Sequence, residues 1–506
     1  MPAQPNIVIV MTDQQRADLS AREGFPLDTT PFLDSLARRG TWFDRAYTPI
    51  PACGPARVSM LTGRYPSATR VRTNHNIPDA VYTEDLFSLF RARGYNTALV
   101  GKNHSHILRE DVDYFYGANH LNADDDDNSP ETRAFAGFMR DTHFHLATEA
   151  TPFPLEVQFP YRVVSKAQEW ITSLEAADGK TQPFLLWLSF AEPHNPYQIP
   201  EPYYSLFPPE VLPPNDSDET ALATKGFKYQ WCRDSFIKAF PDFVETMPRA
   251  RANYLGMLRL IDDQVRRFVD FLDAENLSDD TILIFMSDHG DFVGEYGLMR
   301  KGPDLPESLT RVPLSFTGPG ILAGEEAHPA HVSIVDLLPT LCEAAGIALP
   351  EGVQGRSFWP LLTGQPYPEG EFASAYMEHG FGGLYYTAHE DLDPSDDGLT
   401  ASPDGVSWGA YDCLNSWTQS GQMRAIRKGD WKLTYDMQGN GQLYHLPEDP
   451  SEVNDLYDRP ETAQIQAELM ADLMTWILRT QDPLPLPRHR YVPKTDPRNY
   501  WTPYRT

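Results

Sequence analysis

The chain has 506 residues, more than one ordinary hydrophobic core organises, so one large domain with a smaller partner is expected. Its 41% hydrophobic content supports folding, and no apolar run approaches the roughly 20 residues that span a bilayer. A formal charge of −29 at pH 7, with no Lys/Arg cluster to offset it, excludes nucleic acid and anionic membrane as expected partners, and an anionic substrate would need a few local cations or a metal.

The start, Met1-Pro2-Ala3-Gln4-Pro5, has no basic n-region and no small-residue cleavage site, so a cytoplasmic protein is expected. Asn6 to Met11 is an Ile/Val-rich run of the kind buried on both faces of a parallel sheet, and it ends in Thr12-Asp13-Gln14-Gln15. Thr30-Pro31 opens a helix with Phe32, Leu33, Leu36 and Ala37 on one face and Gly40 as its stop. The segment Cys53-Gly54-Pro55-Ala56-Arg57, continuing to Leu61-Thr62-Gly63-Arg64, reads as a short helix with the cysteine at its start and Gly63 as its stop. A helix around Leu86–Phe90 follows, then the strand Thr97–Val100 with the tip Gly101-Lys102-Asn103-His104.

Periodicity fades between about 107 and 160, where the run Asp124–Asp127 reads as a solvated loop, with a substrate rim or ion site as the alternative. A helix at 163–176 leads to the strand Phe184–Phe190, tipped by Pro193-His194-Asn195-Pro196. Helical periodicity over 247–275 precedes the strand Thr281–Met286, which ends in Ser287-Asp288-His289-Gly290. The strand Val312–Phe316 and the helix Val335–Ala345 complete an alternating α/β pattern.

Composition shifts near 366–420, and beyond it Met423–Arg427 and Trp431–Tyr435 flank the turn Lys428-Gly429-Asp430 as a hairpin. Leu443–Leu446 offers a third strand and 461–479 a last helix. The expected division is therefore a catalytic α/β domain over 1–370 and a smaller α+β domain over 371–506, with an antiparallel sheet, a helix and an irregular tail.

Taken alone, Cys53 reads as a buried structural thiol, since free cysteines commonly pack as small hydrophobes. At a helix N-terminus, however, a thiolate or bound oxyanion is stabilised by exposed N–H groups and the helix dipole. The cysteines, Cys53, Cys232, Cys342 and Cys413, are far apart and form no CxxC pair, which argues against disulfides and structural zinc and fits a reduced compartment.

In one parallel sheet the carboxyl ends of the strands open on the same side, so the polar tips converge. Asp13, Gln14, Asp288 and His289 would then form a mostly oxygen-donor site for Ca²⁺, Mg²⁺ or Mn²⁺. Arg57, Lys102 and Lys301 would add positive charge beside it.

These motifs carry a family resemblance. Cys-Gly-Pro-Ala-Arg with the following Leu61-Thr62-Gly63 resembles the C-x-P-x-R…L-T-G signature of the formylglycine-dependent, type I sulfatases of the alkaline-phosphatase superfamily. Gly101–His104 is similar to the family's G-K-x-H and Pro193–Pro196 to its P-H-x-P. Ser287–Gly290 with Gly294, Gly297-Leu298 and Lys301 is similar to its D-H-G…G…G-L…K block. Arg311–Leu314 and, more loosely, Leu443–Leu446 with Asp449-Pro450 extend the match in order over most of the chain.

The resemblance implies an alkaline-phosphatase-like fold, a large mixed, mostly parallel sheet flanked by helices with a smaller antiparallel-sheet domain. It implies that a separate maturase oxidises Cys53 to formylglycine, whose hydrated diol attacks a sulfate ester and then eliminates sulfate. By matched position Asp13, Gln14, Asp288 and His289 hold one divalent metal ion, with Ca²⁺ the first choice and Mn²⁺ or Mg²⁺ as alternatives. Arg57 orients the diol, Lys102 contacts diol and sulfate, His104 is the base for elimination, and His194 and Lys301 bind sulfate and assist the leaving oxygen. Gln14 and His289 depart from the commoner Asp and Asn of many relatives, which leaves the metal's identity open.

The expected activity is hydrolysis of an organic sulfate ester, aryl, carbohydrate or choline-like. The alternatives are a phosphonate monoester hydrolase or phosphodiesterase of the same superfamily, which the Lys102/His104 pair argues against, and a non-catalytic binding protein on the same scaffold. Tyr385, Tyr386, Trp408 and Tyr411 are candidate aromatic walls for the leaving group, with core packing as the alternative. Whether the chain forms a homo-oligomer is left open.

Overall fold

Strand β1 (Asn6–Asp13) is buried along nearly its whole length because its two faces serve two different cores. In the computed structural model, which describes residues 4–118, 125–178, 182–380, 421–481 and 498–500, Ile7, Ile9 and Met11 enter one hydrophobic cluster while Val8 and Val10 enter the other. That two-residue alternation is what a strand with helices on both sides requires.

The remaining strands are β2 (Thr41–Phe43), β3 (Ala46–Tyr47), β4 (Asn96–Gly101), β5 (Tyr114–Gly117), β6 (Phe184–Pro193), β7 (Thr281–Ser287), β8 (Leu314–Thr317) and β9 (Val332–Ser333), then β10 (Ser374–His379), β11 (Met423–Lys428), β12 (Trp431–Asp436) and β13 (Gly441–His445). The large sheet has seven strands in the order β2-β8-β7-β1-β6-β4-β5. It is parallel from β7 through β5, whereas β8 runs antiparallel to both of its neighbours, β7 and β2. The expected mixed, mostly parallel sheet is what forms.

On one face lie the helices Cys53–Thr62, Leu86–Ala92 and Leu337–Ala345, which contribute Ala56, Met60, Phe87, Phe90, Leu338 and Leu341. On the other lie Pro31–Arg38, Phe159–Asp178 and Phe243–Ala274, contributing Leu33, Leu36, Val163, Val164, Ile261 and Val265. Each fully buried Leu, Ile or Val of this kind contributes ~1.5–3 kcal/mol relative to exposure, so the sheet positions are firmly held. No helix among the described residues is long and apolar enough to cross a membrane.

The second sheet, β10-β11-β12-β13, is antiparallel throughout and carries the helix Ala463–Thr480. Its hairpin closes as expected: Lys428 pairs with Trp431, and Gly429 takes φ 56 in the two-residue loop, where hairpin turns call for positive φ. Tyr65 and Val335 from earlier in the chain pack with Tyr376, Leu433 and Trp476 in the core of this sheet.

The region 107–160 is more ordered than its sequence suggests. It holds β5 and the helix Pro130–Asp141, capped by Ser129 with Pro130 in its first turn. The aspartate run is loop as expected, with Asp124 outside the described residues and Asp126 exposed, but Asp125 is an anchor rather than a solvated charge. Its side chain is 3% exposed and takes both Arg162 nitrogens at 3.0 and 2.8 Å. Tyr385, Tyr386, Trp408, Tyr411 and Cys413 also lie outside the described residues.

Candidate active site and metal centre

The tips of β7, β1, β6 and β4 are consecutive in the sheet, so their carboxyl ends form one row. Register aligns Thr12 with Ser287, Asp13 with Pro193, and Gly101 with Ser189, which brings Asp13, Asp288, Lys102 and His194 to the same rim. Two motif glycines are required for this. A Cβ on Gly101, which has φ 111, would stand 1.9 Å from the Ser189 carbonyl oxygen, and one on Gly290 would stand 2.0 Å from that of Ser308.

The helix Cys53–Thr62 points its N-terminus at this rim, and every one of its residues is buried. Pro55 costs it nothing, because the first-turn N–H groups have no intrahelical partner, and Gly63 ends it at φ 63. The Gly54 N–H is capped by Asn74 Oδ1 at 2.9 Å.

Cys53 Sγ lies 3.1 Å from His289 Nε2, 3.5 Å from Asp13 Oδ1 and 3.2 Å from Lys301 Nζ. Lys301 Nζ also reaches Gln14 Oε1 at 3.2 Å and His194 Nε2 at 3.1 Å. Lys102 Nζ lies 2.6 Å from Asp13 Oδ2. Arg57, fully buried, donates to Asp288 Oδ2 at 2.8 Å, Asp13 Oδ2 at 3.0 Å, Ser189 Oγ at 2.9 Å and the Lys102 carbonyl at 2.8 Å. His104, half-buried at φ 44, lies close enough to Cys53 to favour its thiolate. The structure thus brings the proposed catalytic and metal residues of the four strand tips, Cys53, Arg57 and Lys301 to one rim.

The charges explain why a cysteine here is no ordinary core thiol. Burial alone would push its pKa up, but Lys301, Lys102, His289 and His104 overcome that and hold it well below the usual range. Burial and Cys53 also oppose ionisation of Asp13, yet Lys102, His194 and Arg57 keep it ionised far below the normal carboxylate range. Burial and the neighbouring Asp13 raise Asp288. Burial, Lys301 and Lys102 lower His194.

His289 Nδ1 faces the Gly290 carbonyl at 2.9 Å and must carry a proton there, so Nε2, on the side of Cys53 and the carboxylates, is the nitrogen that can serve as a ligand once deprotonated, although, against burial, Asp288 and Cys53 raise its pKa in the metal-free protein. Asp13, Cys53, Asp288 and His289 place one donor atom each within 4.8 Å of one another. With Gln14 Oε1 at the same rim, the set is two carboxylates, an amide oxygen and one imidazole nitrogen, and this fits a hard divalent cation better than zinc.

Several residues that the sequence reading did not single out hold this arrangement. Ser189 and Ser287 anchor Arg57 and the Gln15 N–H, Tyr254 donates to the Gln14 carbonyl at 2.7 Å, and Asp291 binds the Gln14 side chain while accepting from the Tyr197 hydroxyl. Asp291 and Tyr197 directly follow the S-D-H-G and P-H-N-P motifs, and that adjacency is the one signal that could have drawn attention to them.

The family model for Sulfatase matches residues 5–347. The chain belongs to the sulfatase family. As a member it is a sulfuric ester hydrolase, and the family implies a metal site and a cysteine-derived formylglycine that the buried Asp13, Cys53, Asp288 and His289 group fits. It is 30% identical to a choline-sulfatase of Rhizobium meliloti (strain 1021), over 92% of this chain and 85% of that protein. It is 28% identical to an arylsulfatase of Clostridium perfringens (strain 13 / Type A), over 75% of this chain and 82% of the relative. The fold of this sulfatase is shared with the solved phosphonate monoester hydrolase of Agrobacterium radiobacter, at a TM-score of 0.73 and 21% identity, over 94% of this chain and 96% of that one.

Proposed function

We propose that this sulfatase cleaves an organic sulfate ester to alcohol and inorganic sulfate with a nucleophile made from Cys53. The observation that carries the reading is the seat of Cys53: first residue of a buried helix, 3.1 Å from His289 Nε2 and 3.2 Å from Lys301 Nζ. A maturase would convert the thiol to formylglycine, whose hydrate supplies an oxygen nucleophile with a second hydroxyl for release of sulfate.

Asp13, Gln14, Asp288 and His289 would hold one divalent cation, Ca²⁺ first and Mn²⁺ or Mg²⁺ as alternatives. When bound, the cation lowers the pKa of an oxygen nucleophile and offsets charge on the sulfate. The chain's own residues do the rest. Arg57 favours the ionised form of both carboxylates and aims them. Lys301 and Lys102, whose charges both act on the Cys53 position, attract the ester sulfate, supplying positive charge that a −29 protein needs there.

Lys301 carries the proton nearest the leaving oxygen. His194 is kept neutral by burial and the two lysines, and its Nδ1–H donates to the Asn195 carbonyl at 2.7 Å, so its Nε2 accepts from Lys301 and orients it. His104, beside the Cys53 position at the β4 tip, serves as the base. The presence of both Lys102 and His104 at the β4 tip supports sulfate over phosphonate substrates.

The leaving alcohol is assigned to the choline-like, aryl and carbohydrate classes, which the names of relatives support. The deciding assay measures sulfate release from choline O-sulfate, an aryl sulfate and sulfated sugars beside phosphate mono- and diesters and a phosphonate monoester. Preference for a sulfate ester is expected, and faster turnover of a phosphorus ester overturns the reading.

A further inference from the structure

The proposed cation ligand Gln14 has an amide with two ends of similar shape and opposite chemistry, and only its oxygen can serve as a ligand. Its backbone is fixed in the left-handed region, φ 71, by its N–H to Asp288 Oδ1 at 3.1 Å and its carbonyl from Tyr254 Oη at 2.7 Å. The backbone does not decide which way the amide faces.

Asp291 decides it. Gln14 Nε2 lies 2.5 Å from Asp291 Oδ2, an acceptor-only contact when the carboxylate is ionised, while Oε1 lies 3.2 Å from Lys301 Nζ, a donor-only contact. Turning the amide over would set two oxygens against each other at one end and two nitrogens at the other. Asp291 cannot swing aside to relieve this. It is fully buried, its Oδ1 takes the Val293 N–H at 2.8 Å, and its Oδ2 takes the Tyr197 hydroxyl at 2.7 Å.

We propose that Asp291 is a positioning residue, which, steadied by Tyr197, fixes the Gln14 amide with its oxygen toward the cation. The proposal rests on the reading of Gln14 as a ligand. It also gives the glutamine at this position a physical reason: a carboxylate at 14 would face the Asp291 carboxylate in a dry interior, whereas a neutral amide bridges it to the site. The carboxylate behind the amide polarises it and strengthens its oxygen as a donor, the work that groups behind metal ligands commonly do.

The test is calorimetric titration of the full chain, stripped by chelator, with Ca²⁺ and with Mn²⁺. The proteins are wild type, Asp291→Asn, Gln14→Ala and the double variant. Asp291→Asn is expected to weaken binding about 10–100-fold. In the Gln14→Ala background the same change should cost no more than about twofold, because a residue acting only through Gln14 has nothing left to position.

Equal losses in both backgrounds, or an Asp291→Asn affinity within about twofold of wild type, overturn the proposal. If Gln14→Ala weakens binding and Asp291→Asn does not, this inference alone fails. If wild type binds neither ion, the reading of the metal site fails with it. Should Asp291→Asn not fold, Tyr197→Phe carries the test: weaker binding supports the proposal and unchanged affinity overturns it.

Discussion

Arg57 joins Asp13 and Asp288 through one guanidinium, its two contacts at 3.0 and 2.8 Å, with all three side chains fully buried. Carboxylates from two neighbouring strands are therefore held at a common spacing by a cation from the helix that begins with Cys53. The nucleophile's helix and the cation site are one electrostatic unit.

Replacing Arg57 tests that unit. Lysine has a single ammonium in place of a fork, and alanine strips the guanidinium from both buried carboxylates, leaving Asp13 its ion pair with Lys102. Arg57→Ala should lower the unfolding free energy of the metal-free protein by about 3–5 kcal/mol in denaturant titration, with Arg57→Lys in between. An alanine variant as stable as wild type would show that the pair is not structural.

Divalent cations should repair part of such damage in the native chain. Ca²⁺ or Mn²⁺ at about 100 times its Kd is expected to stabilise the wild-type fold by about 2.7 kcal/mol, read as a raised thermal midpoint that chelator reverses. Asp13→Asn and Asp288→Asn should each lose that response. A midpoint indifferent to both ions would contradict the site.

How much of this was legible in sequence follows from range. Strand tips announce themselves locally, since an Ile/Val run that stops at Asp13-Gln14 or at Asp288-His289 carries its polar end beside its apolar body. The grip of Asp291 on Gln14 spans 277 residues and depends on which amide end faces a carboxylate, so no local pattern holds it. The helix Pro130–Asp141 was missed for another reason. Its Ser129-Pro130 start and the buried Phe135, Ala136 and Met139 give a clear helical face, but only over three turns beside an acidic run that reads as loop. Strand β2, at three residues, is too short to show any period.

His104→Ala should separate the two halves of turnover. The first alcohol is expected to leave in a burst of about one equivalent per active enzyme, while steady-state sulfate release falls by about 10²–10⁴-fold. Rapid-quench measurement of both products checks it, and unchanged steady-state turnover would remove His104 from the base role.

Glu192, near Lys102 and Arg162, gives a pH signature in stability. Burial raises its carboxyl from 4.5 to about 7 against the partial opposition of backbone hydrogen bonds, Arg162 and Lys102, and its Oε2 has no hydrogen-bond partner among the described residues. A carboxyl raised in the fold contributes stability that is fully present below about pH 4.5 and lost as pH rises through about 7. Glu192→Gln should therefore match wild type near pH 4.5 and exceed it by up to about 3 kcal/mol above pH 8, read by urea titration. A variant that is less stable than wild type at pH 8 would reverse the sign and refute the argument.

The central claim is that the Cys53 thiol is a precursor. It is tested most directly by mass spectrometry of the peptide spanning Cys53, taken from protein produced beside a competent maturase while it is releasing sulfate. The expected result is a peptide in which the thiol has been exchanged for an aldehyde, in a fraction that tracks the rate across preparations, with Cys53→Ala folded and inactive. Full turnover by a chain whose Cys53 is still an unmodified thiol would contradict the account.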